Sequence, residues 1–209
     1  MRWVLISAKQ VRFGQYRDRG EASLKSKILQ SLHQDHANQV QLLSLIESEI
    51  DKLRKEGETP NFELLSLALE YCVDYPSHYH HPKEDLLYEK LITRDPAIAE
   101  QAIILTEEHE TLMQLTREFA DAVGEAIAGD TTDNLRAAAG RFLKYYHYHI
   151  GIEESEVFPI ARRVLTDDDW IEIDAAFRNT ADPLFGDHTR DAYLALQRCI
   201  VEKASEASA

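Results

Sequence analysis

The pattern His-x-x-x-Glu occurs twice in this chain, at His80–Glu84 and His149–Glu153, each time inside a long helical pattern. Single histidines, His36 and His109, lie in two further helical patterns. Residues four apart on a helix differ by about 40° around its axis and about 6 Å along it. Each pair therefore projects an imidazole and a carboxylate toward one interior. One such pair says little, because a lone helical histidine is usually a packing or surface residue. Single His, His-x-x-x-Glu, single His, His-x-x-x-Glu across four successive helices is what a bundle needs to hold two metal ions in its core.

The periodicity supplies those helices. From Ser23, apolar residues recur at three- and four-residue steps through Leu24, Ile28, Leu32, Val40, Leu43, Ile46 and Ile50, ending near Gly57. Leu64, Leu67, Ala68, Tyr71 and Cys72 mark a second helix, with Pro76 and Pro82 predicting a bend or interruption at 76–82 before it continues through Leu87, Tyr88 and Leu91. Asp95-Pro96 starts a third helix running to about Ala128. A fourth spans roughly Asp133 to Leu165, bent near Pro159. Thr166 to Asp169 caps a shorter helix with Trp170, Ile173, Ala176 and Phe177, and a last one carries Tyr193, Leu196, Cys199 and Ile200. The expected fold is all-α, an antiparallel four-helix bundle with a C-terminal two-helix extension. The expected units are an arm over 1–22, the bundle over 23–165 and the extension over 166–209.

Composition narrows the partners. At 209 residues and 44% hydrophobic, the chain suits one substantial core. A formal charge of −14 disfavours both phosphate backbones and anionic membrane surfaces, so neither nucleic acid nor membrane is an expected partner. Cys72 and Cys199 stand apart in apolar helical contexts and read as reduced packing residues. The apolar run near Trp3–Ile6 is too short for a signal core or a membrane span, so a cytoplasmic location is expected.

Two glutamates bridging two ions, with two imidazoles for each, would give each metal about four protein ligands. His36, His80, Glu84, His109, His149 and Glu153 are the candidate set. Burying the glutamates would otherwise cost several kcal/mol each, roughly, which metal charge offsets. Mixed imidazole and carboxylate donors suit iron or manganese, with zinc as an alternative. His81–Asp85 has the same spacing one residue out of phase, about 100° around the helix, and is read as a flanking pair. His33 is read as a rim residue, and His78, His147 and His188 as surface or packing residues. Tyr75, Tyr79, Tyr145, Tyr146 and Tyr148 are candidates to line the site, donate a hydrogen bond or ligate a metal. The ferritin-type pattern, glutamate three residues before a ligating histidine, is missing: Thr106, Lys144, Ser77 and His33 precede His109, His147, His80 and His36.

These stretches resemble the hemerythrin-like family with the HHE cation-binding domain. The resemblance rests on Asp35-His36, His80-His81-Pro82-Lys83-Glu84-Asp85, Glu108-His109-Glu110, and His149 through Glu154 with Val157-Phe158-Pro159, over about residues 25 to 165. It implies a non-heme di-iron centre, oxo- or hydroxo-bridged, in a four-helix bundle, with the same six residues as ligands. Oxygen-carrying hemerythrins place a second histidine four residues after that of helix three, where this chain has Met113, and an Asp where it has Glu153. Members that repair iron–sulfur centres carry an N-terminal cysteine, whereas residues 1–70 here contain none. The expected function is therefore binding or reduction of a small oxidant: dioxygen, nitric oxide or peroxide. The alternative is an iron- or oxygen-responsive regulatory module, with the Trp170–Ile200 segment as its lever.

Overall fold

Apolar residues at helical spacing produce helix after helix, and the polar residues between them decide where each one stops. The computed structural model describes residues 24–177, 184, 196–200 and 202, with no strand among them. Helix α1 (Leu24–Asp51) ends in a tight turn over Lys52–Arg54. In the link that follows, Gly57 takes a positive φ of 80°, a conformation that suits glycine. The Glu49 carboxylate pins the link by accepting from Lys52 Nζ and the Asn61 amide. Asn61 in turn caps α2 (Phe62–Tyr75) by accepting from Leu64 N.

The second long segment comprises α2, a widened π turn at Pro76–His80, and α3 (His81–Arg94). Asp95 accepts from Ala97 N and opens a short turn, Pro96–Ile98, into α4 (Ala99–Ala128). Gly129, at φ 98°, closes α4 in the left-handed conformation typical of helix ends. The last segment comprises α5 (Thr132–Ile152), a second π turn at Glu153–Val157, and α6 (Phe158–Val164).

Both π turns have the same cause. Each is followed by one residue and then a proline, as His81-Pro82 and Phe158-Pro159. A proline lacks the amide donor, and its ring crowds the carbonyl four residues back. Widening the preceding turn relieves the clash. The bend or interruption expected at 76–82 takes the form of the widened turn at Pro76–His80. Ahead of Pro159, where a bend is expected, the helix widens over Glu153–Val157.

Short links make successive segments antiparallel. His36 of α1 meets Glu154 beyond α5, while Glu47 of α1 meets His147 of α5, which fixes α1 and α5 as antiparallel neighbours. The buried apolar residues form two clusters. One contains Leu43, Ile46, Cys72, Leu112, Phe142 and Tyr146, the other Leu32, Tyr88, Leu105, Val157, Phe158 and Trp170. On every long segment the histidines and glutamates of interest fall between the two. The polar layer is thus sealed from both ends.

Helix α7 (Asp167–Phe177) packs on α1 and α3 and buries Trp170 and Ile173 in the second cluster. Thr166 and Asp169 cap it reciprocally, each backbone amide donating to the other's side chain. Arg94 Nε donates to Asp169 at 2.9 Å. Leu184, Leu196 and Ile200 are buried in the first cluster. The arm over 1–22, Tyr193 and His188 lie outside the described residues. No helix among the described residues is long and apolar enough to cross a membrane.

Candidate metal centre

Glu84 and Glu153 are completely buried, with no exposed surface, and face each other across the polar layer. Each divides its two oxygens between different imidazoles. Glu84 Oε1 lies 3.2 Å from Nε2 of both His36 and His80, while its Oε2 faces His109 Nε2 at 3.6 Å. Glu153 Oε2 lies 3.3 Å from His36 Nε2, while its Oε1 faces Nε2 of His149 at 3.2 Å and of His109 at 3.8 Å. The donors thus sort into two adjoining groups that share both carboxylates. His36 and His80 belong to one, and His109 and His149 to the other.

His81 joins the second group, contrary to the expectation that it flanks the site. It is buried, stacks on His109 with ring centroids 4.0 Å apart, and offers a nitrogen within 4.8 Å of ligand atoms of Glu84, His109 and His149. The physical reason lies in the partner. His81 works with Glu84, three residues on, and not with Asp85. Three residues place it about 60° to one side of Glu84, and four place His80 about 40° to the other. One carboxylate therefore serves both histidines. His81 thus gives the second group a third imidazole.

Each of the other four imidazoles is held from behind by a carboxylate. Nδ1 of His36 contacts Glu154 at 2.7 Å, that of His80 contacts Asp35 at 3.3 Å, and those of His109 and His149 contact Asp85 and Glu108 at 3.0 Å each. Such pairs orient the ring, leave Nε2 facing inward, and strengthen it as a donor. Sequence reasoning assigned these acids no role beyond the flanking place given to Asp85. A signal was present nonetheless: Asp35, Asp85, Glu108 and Glu154 each adjoin an inner residue in the chain. One helical step turns each toward the neighbouring helix. Glu154 also takes His33 Nδ1 at 2.6 Å, placing His33 at the rim as expected.

Tyr88 also went unrecognised. Its hydroxyl donates to Glu153 Oε1, and its ring stacks on His109. Phe158 occupies the matching place on the other side, stacked on His36 at 5.4 Å. Among the five tyrosines expected near the site, Tyr75 and Tyr146 are buried, Tyr148 is exposed, and Tyr79 and Tyr145 lie between. His78 is exposed, and His147 is buried against Glu47. Cys72 and Cys199 are free thiols.

The electrostatics describe a site built for cations. Burial and repulsion from Glu153 push the Glu84 carboxyl up in pKa, but the surrounding imidazoles outweigh them and hold it well below the ordinary range. Glu153 behaves likewise, its burial outweighed by His149, His109 and His36. Burial depresses His109 and His149, yet their carboxylate partners lift them to about 10 and about 9. His81, buried among other imidazoles, is held well below the ordinary value and stays neutral. Protons on the other imidazoles thus balance the buried carboxylates where no metal does.

Nε2 of His36, His109 and His149, both oxygens of Glu84, and Oε2 of Glu153 are buried without a hydrogen-bond partner. Buried polar atoms are almost always satisfied. Here six of the exceptions are the inward atoms of the cluster, and each of the six is a donor a metal accepts. The residues present therefore fit a bound metal.

An all-α bundle with imidazoles and carboxylates buried midway between two apolar clusters defines a cation-binding helical protein. Residues 27–161 match the hemerythrin HHE cation binding domain, and the chain belongs to that family. No curated protein and no solved structure matches the chain.

Proposed function

We propose that this chain holds two irons and uses them to bind or reduce a small oxidant such as dioxygen, nitric oxide or peroxide. The observation that carries the reading is the division of both carboxylates between two imidazole groups. A one-ion site has no use for two glutamates that each face two sets of nitrogens. Bound iron would supply a redox-active Lewis acid for the oxidant.

The chain's own residues do the rest. Glu154, Asp35, Asp85 and Glu108 lock the imidazoles in their inward orientation. The apolar clusters above and below exclude bulk water. The protein donors are unequal, with two imidazoles on the His36–His80 side and three on the other once His81 is included. The side with fewer donors is the one left able to accept an outside ligand.

Elemental analysis with absorption spectroscopy tests this. We expect about two irons per chain and a charge-transfer band that changes with azide. Peroxide turnover above that of free iron, lost in Glu84→Ala, would establish an enzyme. One tightly held ion whose spectrum ignores azide would sink the proposal.

A second reading, regulation, draws on one contact. Trp170 and Ile173 of α7 share an apolar cluster with Tyr88 and Phe158, which stack on His109 and His36. A change at the cluster thus has a packed route to the C-terminal helices. Hydrogen exchange over residues 166–205 should slow on iron loading, and identical exchange with and without iron would remove this reading.

A further inference from the structure

Two buried polar groups near the cluster have no part in building it. The Gln39 side-chain amide nitrogen and the Tyr146 hydroxyl are shielded from solvent and make no hydrogen bond. They differ in kind from the unsatisfied imidazole nitrogens and carboxylate oxygens of the cluster. Imidazole nitrogens and carboxylate oxygens are satisfied by a cation, whereas an amide N–H can only donate and requires an acceptor. The phenol stays a donor too. Burial, with Cys72, Glu84 and Glu153 nearby, keeps its proton on well above the ordinary tyrosine range.

Their placement is coordinated. Gln39 lies one turn after His36 on α1, and Tyr146 one turn before His149 on α5. Because α1 and α5 are antiparallel, both offsets lead toward the same end of the bundle, where α4 turns into α5. The apolar cluster on that side includes Leu43, Leu112 and Phe142, and the Phe142 ring packs edge-on against Tyr146 at 5.4 Å. Both bridging carboxylates act on the Tyr146 hydroxyl, which sets it within their field. Two buried donors without partners, each one turn from a cluster histidine and on the same apolar side, suit a small ligand whose free end accepts hydrogen bonds.

We propose that Gln39 and Tyr146 form a donor pair that receives the outer atom of a small anionic ligand bound at the metals, making the site select hydrogen-bond acceptors over apolar diatomics. This rests on the proposed function, since it needs an exchangeable position on the metal pair. The role is one of specificity: the two residues touch the ligand and not the metals.

Azide is the probe, titrated into the iron-loaded full chain. Tyr146→Phe and Gln39→Leu should each weaken azide binding by about tenfold, as expected for a lost hydrogen bond to a charged group. Metal content should stay unchanged. The infrared stretch of bound azide should shift in D2O for the wild type and not for Tyr146→Phe. That measurement requires only the wild type if a variant folds poorly. Both substitutions remove an unsatisfied donor, so they should raise the thermal midpoint of the metal-free chain.

Azide binding within twofold of wild type in both variants, with no isotope shift in the wild type, would overturn the donor pair and leave the two-iron reading standing. A lowered midpoint in the metal-free variants would also count against it, because the groups would then be serving the fold. Iron-loaded wild type that takes up no azide would remove the exchangeable position, and both proposals with it.

Discussion

In the arm formed by α2 and α3, the widened turn ends at the histidine, His80, and His81 follows it. In the arm formed by α5 and α6, the widened turn begins at the glutamate, and Ile150 follows the histidine. Both arms present His-x-x-x-Glu to the same layer and both carry a proline just after the turn. The first nevertheless contributes two imidazoles to two different groups, while the second contributes one. Each arm also supplies an aromatic ring that backs a histidine of another helix, Tyr88 behind His109 and Phe158 behind His36, but only Tyr88 also donates to a carboxylate. A repeated motif therefore yields two unequal halves. On the proposed two-iron reading, that inequality would hold one metal firmly and leave the other able to exchange a ligand.

The comparison is broken most severely by removing what the arms share. Glu84→Ala and Glu153→Ala each delete a carboxylate that serves both groups, so each should abolish binding of both ions, a loss of about a thousandfold or more in affinity. Metal content after dialysis reads this directly. Retention of one ion by either variant would show that the carboxylate does not bridge.

Smaller losses sharpen the contrast between halves. Asp35→Asn and Glu154→Gln should weaken metal at the His36–His80 side, and Asp85→Asn and Glu108→Gln at the other, by about 10- to 100-fold each. His81→Ala should lower only the second group's affinity, bringing the halves to equal imidazole counts. Competition with a calibrated chelator would resolve two binding steps and show which one moved.

Proton competition gives a third test. His109 and His149, raised to about 10 and about 9 in the metal-free chain, carry protons at pH 7 that a cation must displace. Affinity should rise by about tenfold per pH unit for each displaced proton, from neutrality to about pH 9. The metal-free fold should behave in the opposite sense. A histidine whose folded value exceeds its ordinary 6.5 adds stability fully below 6.5, and that stability disappears as pH climbs through about 9 to 10. Chemical denaturation at pH 7 and pH 10, with and without metal, separates the two trends. Parallel pH profiles would contradict the assignment.

The smallest effect should come from Tyr88→Phe, which makes the first arm's ring resemble the second's. Both ions should remain, with affinity falling by less than about tenfold. The main change should be a shift of the charge-transfer band. An unchanged spectrum would mean the Glu153 contact has no influence on the metals.

The helices and their order were legible because helix formation answers to local spacing. Leu29, Leu32 and Leu43 fall at helical steps whatever lies across from them, and Pro82 and Pro159 disturb the backbone wherever they occur. The grouping of His81 with Glu84 is hidden from the sequence for a definable reason. Comparing His81 with Asp85 set one whole pair against another, whereas the decisive relation was between His81 and Glu84. A carboxylate has two oxygens and accepts imidazoles from both sides. The acids behind the histidines were harder still. Asp35 supports His80 and Glu108 supports His149, partners on other helices that no spacing along one helix reveals.

Taken by itself, the sequence determined an all-helical chain whose imidazoles and buried acids lie between apolar stretches on four segments. Helical period and side-chain polarity act over a few residues and so can be read along the chain. The tertiary structure alone decided which oxygen faces which nitrogen, which acid stands behind which ring, and that Gln39 and Tyr146 end up buried without acceptors. Those outcomes depend on the relative height and rotation of neighbouring helices. A shift of one residue there moves a side chain about 1.5 Å along the axis and about 100° around it, enough to exchange a ligand for a bystander.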